Sequence, residues 1–468
     1  MPSMWPESLS LAQADPQPRC ARPAALLLVG LMAACGDPSS ADGDAPQPEW
    51  LSTVRDADAP LPQRIASALE GIQLDPCAHD PDSPCAMKSF GLGLEHVDPD
   101  LDPEERILII DELVPSIDML RNRHRILGVF AVDPDAQIES LHAQWELPKT
   151  FGDIVTAFAS FPSYSAGELE ALRAPLADAF AARVPTVGSH GLAVHWILTD
   201  RVPDRGVLFL GYDNLSFHRA LPEVVCQIGP GHDGVNLSRL RQHAEDAAQS
   251  LLRLVEAYRV SVINASWGFT LESVRGPWES VCGAPPPPRE NLLEILDAYT
   301  PIFEAMFGTP GLFTTHAALQ SARLDDGPFD IDDPRFTRRL RVGSFGTLDT
   351  RIPFGGGAEP PTGSRPQPRN LDYADVFVNS GCDETACRTQ NGLSMSGPLG
   401  FGTQPFPLTQ SSFVSPVLTA EFVRTRQSPP FAGTVWSDAL MASIMEKLEG
   451  TCGEGPCYRD PLLHTLAP

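Results

Sequence analysis

The chain has 468 residues, 42% of them hydrophobic, enough to bury a large core. Its 34 Lys and Arg face 60 Asp and Glu, a net charge of −26. A surface that acidic repels phosphate backbones, which excludes nucleic acid as the expected partner. The charge reads as a solvated face.

The first element is an address. The apolar run 24–34 follows Arg19 and Arg22 and is shorter than the roughly 20 residues a membrane-spanning helix needs. It fits the hydrophobic region of a signal peptide over residues 1–35. The run ends Leu31-Met32-Ala33-Ala34-Cys35, similar to a bacterial lipoprotein cleavage site. On that reading Cys35 carries a lipid anchor to the membrane; the alternative is an ordinary signal peptide and a secreted chain. Residues 36–63, rich in Asp, Pro, Ala and Ser, read as a disordered tether, and 64–468 as one domain with insertions. The Pro- and Gly-rich stretches 283–289 and 353–370 read as surface insertions. Beyond the leader the cysteines fall as Cys77 and Cys85, Cys226 and Cys282, Cys382 and Cys387, and Cys452 and Cys457. Their spacing favours disulfides formed in an oxidising compartment over zinc.

Strand and helix signals then alternate. The run 107–110 is continuously apolar, as expected of a strand buried on both faces of a parallel sheet. Ser165 and Glu168 form a capping box that predicts a helix to about residue 182. Apolar spacing predicts further helices over 192–198, 237–254 and 292–307. Strands are predicted at 207–210, 260–263, 312–314, 340–342 and 376–378. This order means an α/β domain with a mostly parallel central sheet flanked by helices. Chemistry in such folds collects at the carboxyl ends of the strands.

Asp111 directly follows the strand 107–110, His190 precedes the helix 192–198, and Ser412 opens a helix to about residue 424. Acid, base and hydroxyl are what acyl transfer requires. The serine attacks, the histidine takes its proton, and the aspartate fixes the imidazole tautomer. His195 and His316 read as packing or loop histidines. Asp98, Asp100 and Asp102 imitate a calcium loop, but Pro103 stands where that loop needs glycine, so they read as an acidic turn.

The flanking sequence resembles the subtilisin-like serine proteases in scattered blocks from about residue 106 to 448. The run 107–112 resembles the family's apolar strand ending in Asp-Thr-Gly or Asp-Ser-Gly. Ser189-His190-Gly191-Leu192-Ala193-Val194 resembles its Ser-His-Gly-Thr-His-Val block. Val262-Ile263-Asn264-Ala265-Ser266-Trp267-Gly268 is similar to Val-Ile-Asn-x-Ser-x-Gly, and Ser412-Phe413-Val414-Ser415-Pro416 to the serine block. The resemblance implies a three-layer subtilisin-like fold and a serine endopeptidase acting on polypeptides. It implies Asp111, His190 and Ser412 as the triad, and Ser266, Trp267 and Gly268 as substrate-lining residues. It also implies structural calcium, for which no site can be located. The chain departs from the family at several points. Glu112 and Leu113 follow Asp111, Ala193 replaces the second histidine, and Gln410-Ser411 replaces Gly-Thr. The oxyanion asparagine has no counterpart, and Gln320 is the substitute donor. Asn391-Gly392-Leu393-Ser394-Met395 makes Ser394 the alternative nucleophile. Ser412 is preferred because 417–423 can continue as a buried helix, whereas Leu399-Gly400-Phe401-Gly402 cannot. The rival to an enzyme is a catalytically inactive domain of the same architecture serving as an envelope binding module.

Overall fold

A computed structural model describes residues 47–80, 85–90, 97, 101–112, 123–141, 145–159, 164, 168–169, 171–172, 190–199, 201–202, 205–212, 222–228, 235–268, 271–275, 278–283, 285–318, 336–345, 374–379, 395–396, 401–402, 411–452 and 455–458. Its strands are β1 Met87–Phe90, β2 Asp102–Asp111, β3 Ile126–Val132, β4 Ile138–Leu141, β5 Trp145–Pro148, β6 Arg205–Gly211 and β7 Val260–Ala265. They continue with β8 Phe313–Ala317, β9 Arg339–Phe345, β10 Val376–Asn379, β11 Met395–Ser396, β12 Phe401–Gly402, β13 Gly450–Cys452 and β14 Gly455–Tyr458. One sheet holds ten strands in the order β13-β14-β10-β9-β8-β7-β2-β6-β3-β4. The pairs from β3 to β14 are parallel, and only the edge strands β4 and β13 run antiparallel.

The apolar run in β2 is explained by burial on both faces. Ile107 and Ile109 join one core, Leu108 and Ile110 the other, and all four are fully buried. The nine helices labelled here are α1 Glu49–Arg55, α2 Leu61–Leu74, α3 Lys149–Ala159, α4 His190–Thr199, α5 Val235–Tyr258, α6 Arg289–Ala298, α7 Thr300–Phe307, α8 Ser411–Gln427 and α9 Asp438–Leu448. Leu240, Ala244, Ala247 and Leu251 of α5, with Ile295, Ile302 and Phe303 of α6 and α7, cover one face. Leu192, Val194 and Ile197 of α4, Phe413, Val417 and Leu418 of α8, and Ile444 of α9 cover the other. The result is three layers with a mostly parallel sheet at the centre.

Connectivity marks a crevice. From β2 the chain visits β3, returns to β6 beside β2, and then passes to β7 on the other side of β2. Neighbouring connections therefore leave β2 in opposite directions at its carboxyl end, where Asp111 stands.

Two expectations are corrected. The tether does not extend to residue 63, since α1 and α2 lie within or across it and residues 1–46 lie outside the described residues. The prolines that read as disorder signals start helices: Pro48 and Pro60 are the N-caps, and Pro62 stands within the first turn of α2. Leu51, Val54, Ile65 and Ala68 then pack with Phe151, Ile154 and Phe158 of α3 in a third cluster. The stretch 292–307 is two helices, because Pro301 has no N–H to donate and α7 restarts at Thr300. The predicted helix 165–182 falls largely outside the described residues. Disulfides join Cys77 to Cys85 and Cys226 to Cys282, and Cys457 is disulfide-bonded as well; Cys382 and Cys387 lie outside the described residues. Among the described residues no helix is long and apolar enough to cross a membrane.

Candidate active site

Asp111 ends β2 in register with Gly211 of β6, and its side chain is completely buried. The ladder continues past it: Tyr212 N–H donates to Asp111 O at 2.9 Å, and Ser266 N–H to Ile110 O at 3.1 Å. One carboxylate oxygen, Oδ1, accepts the Glu112 N–H at 2.7 Å and the His190 Nδ1–H at 2.7 Å. The other, Oδ2, is buried with no hydrogen-bond partner among the described residues. Because a carboxylate only accepts, the proton sits on His190 Nδ1 and leaves Nε2 as the basic nitrogen.

His190 opens α4, and its side chain retains 24% exposure beside the fully buried Asp111. Its own backbone N–H, one of the unpaired donors of the first helical turn, goes to the Glu112 carboxylate. At the other end of α4 the buried Arg125 guanidinium donates to Thr199 O and Val202 O, and at 3.1 Å to Arg205 O. Negative charge at the start and positive charge at the end are the signs the helix dipole favours. Burial pushes the His190 pKa down. The Asp111 carboxylate, through charge and hydrogen bond, and the charge of Glu112 outweigh that effect, so the imidazole titrates above its ordinary 6.5. Burial raises the Asp111 carboxyl above 3.8, against the opposing pull of His190 and the Glu112 N–H.

Ser412 sits partly exposed in the first turn of α8. Phe413 beside it packs its ring on the His190 imidazole, with centroids 4.8 Å apart. Among the described residues, no hydrogen bond joins the Ser412 hydroxyl to His190. The helix start is held by a buried polar network. Pro416 has no N–H for the carbonyl four residues earlier, Ser412 O. Ser266 Oγ fills the gap, donating to Ser412 O at 3.1 Å. Asn264 Nδ2 donates to Ser266 Oγ at 3.2 Å, and Asn264 Oδ1 accepts from Ser415 Oγ at 3.0 Å and Thr419 Oγ1 at 2.9 Å. Ser411 Oγ donates to Ala318 O at 2.7 Å, tying α8 to the end of β8.

The structure thus brings Asp111, His190 and the helix start bearing Ser412 together. It places Ser266 and Trp267 differently from the expectation. The Ser266 hydroxyl braces α8. The Trp267 ring is 3% exposed and stacks on Phe303 at 5.6 Å, inside the core instead of lining a cleft, because the side chain after a strand end alternates inward. Its carbonyl accepts from His316 Nε2 at 2.8 Å. Gly268 is partly exposed at the strand exit. Gln320 and Ser394 lie outside the described residues, as do Asp98 and Asp100. Among the described residues no cluster of three His, Cys, Asp or Glu side chains could hold a metal ion. His195 and His316 are packing residues, each buried and pushed down to about 3 by burial and nearby arginines. Sequence reasoning missed Glu112, which read as a departure from a motif. No sequence signal marks that role, because the helix start it caps lies 78 residues away.

Compared with known proteins, the chain matches no family model, no curated protein and no solved structure.

Proposed function

We propose that the chain is an exported serine endopeptidase of subtilisin-like architecture, with Ser412 as nucleophile, His190 as general acid and base, and Asp111 as orienter. The observation that carries the reading is the 2.7 Å hydrogen bond from His190 Nδ1 to buried Asp111, with the Ser412-bearing helix start packed on the same imidazole. Such a bond fixes the tautomer and leaves Nε2 free to take the serine proton. Ser412 would attack the peptide carbonyl, giving an acyl-enzyme, and His190 would return the proton to the leaving amine. Backbone N–H groups of the first turn of α8 supply donors for the developing oxyanion, with Gln320 as a further candidate. Export is supported by the disulfides and by the leader read in residues 1–35, with Cys35 as lipid anchor.

A second reading, an inactive envelope binding module, is favoured by one observation: the Ser412 hydroxyl makes no hydrogen bond to His190 among the described residues. Catalytic hydrogen bonds are often long before substrate binds, which keeps the enzyme reading first. The test is cleavage of an unfolded protein, with new termini mapped by mass spectrometry. Cleavage by the wild type that Ser412→Ala and His190→Ala abolish supports the peptidase. Equal cleavage by Ser412→Ala, or none by the wild type, overturns it.

A further inference from the structure

We propose that Glu112 is a positioning residue for His190: its carboxylate caps the helix that carries the imidazole and, with Asp111, sets the electrostatic field in which that imidazole works. The inference rests on reading His190 as the general base of the site.

Three hydrogen bonds close a ring among adjacent groups. Asp111 Oδ1 takes the His190 ring N–H, Glu112 takes the His190 backbone N–H, and the Glu112 N–H donates to Asp111 Oδ1. His190 is gripped at both its backbone and its ring by two consecutive residues at one strand end. Neither rotation of the imidazole nor fraying of the first turn of α4 is possible without breaking that ring. Arg125 fixes the other end of the same helix, so α4 is clamped along its axis. The charged groups facing His190 among the described residues are Asp111 and Glu112, both at the end of β2. The helix packed against it from the other side, α8, presents the uncharged Phe413 ring. Glu112 therefore supplies the second of two negative charges near the imidazole, and both stabilise the imidazolium.

The experiment compares the wild type, Glu112→Gln and Glu112→Ala in the full chain after leader removal. Glu112→Gln keeps an acceptor for the helix cap and removes the charge; Glu112→Ala removes both. The His190 titration is followed by nuclear magnetic resonance of labelled histidine, and kcat/KM is measured against pH on a peptide substrate. The proposal expects the His190 midpoint to fall in Glu112→Gln with the melting temperature held, and to fall in Glu112→Ala with the melting temperature lowered as well. It also expects Glu112→Gln to keep a larger fraction of its plateau rate than the wild type on the acid side of the profile. An unchanged His190 midpoint in Glu112→Gln overturns it, as does a shifted midpoint with an unmoved kcat/KM profile. A shifted midpoint in a protein that cleaves nothing at any pH upholds the coupling and overturns the hydrolase reading instead.

Discussion

Asp111 occupies the costliest position in the site. Its carboxylate is completely buried, and among the described residues one oxygen carries two hydrogen bonds and the other carries none. An aspartate kept there against its desolvation cost is the pattern of a group held for function. Asp111→Asn retains the shape and an acceptor for the Glu112 N–H, but no longer enforces the tautomer with a basic Nε2. The expected loss is on the order of 10,000-fold in kcat. Because burial raises the Asp111 pKa, stability falls as pH rises from 3.8 through the raised folded pKa and is flat above it; a neutral asparagine carries no such cost and should not lower the melting temperature at pH 7. A small loss of kcat, or a large loss of melting temperature, would contradict this. The pairing of Asp111 with His190 was legible in the sequence because each sits at a strand or helix end. Glu112 was not, since its partner lies 78 residues away and only the fold brings them together. The direction of the Trp267 ring was equally hidden, because it depends on which face of the sheet follows the strand end.

At the scale of elements, α8 carries Ser412, the proposed nucleophile, on a helix whose Pro416 removes a backbone bond from its first turns. Ser266 and Asn264, at the end of β7, replace that bond and extend it to Ser415 and Thr419. The similarity of 262–268 to a family block therefore has a local physical reason here: these residues brace the serine helix. Asn264→Ala leaves buried hydroxyls without their acceptor and should cost about 2–3 kcal/mol in urea unfolding. A cost under about 0.5 kcal/mol would mean that the network relaxes freely. Strands β2, β6, β7, β8, β9 and β10 were readable from short apolar runs because each is buried on both faces. Strand β3 was missed, since Gly128 interrupts its apolar run and an Arg-rich stretch precedes it. The break between α6 and α7 needed only Pro301, but apolar spacing continues across it.

Among the described residues, two large cores cover the sheet and a third cluster packs the N-terminal helices. The third joins α1 and α2, at the start of the described chain, to α3, which follows β5. Buried Asp153 of α3 ties it further, pairing with Lys88 and Lys149 at 2.7 Å and with Arg55 at 3.4 Å. A segment that shares a core with later residues cannot be shed as a removable prosegment without exposing Phe151, Ile154 and Phe158. A chain starting at residue 91 should aggregate or melt well below the full protein in a thermal scan. A truncated chain with an unchanged melting temperature would show that the N-terminal helices are dispensable. None of this was legible in a stretch whose prolines and acidic residues match the composition of a tether. Tertiary burial of one apolar stripe on each short helix decides the outcome there.

The most direct measurement of the central claim is the reaction of the protein lacking residues 1–35 with a fluorophosphonate probe, followed by mass-spectrometric mapping of the adduct. Such probes modify serines activated by a working base. The account predicts an adduct on Ser412 that His190→Ala abolishes. No adduct on Ser412 in folded protein, or an adduct that persists in His190→Ala, would contradict it.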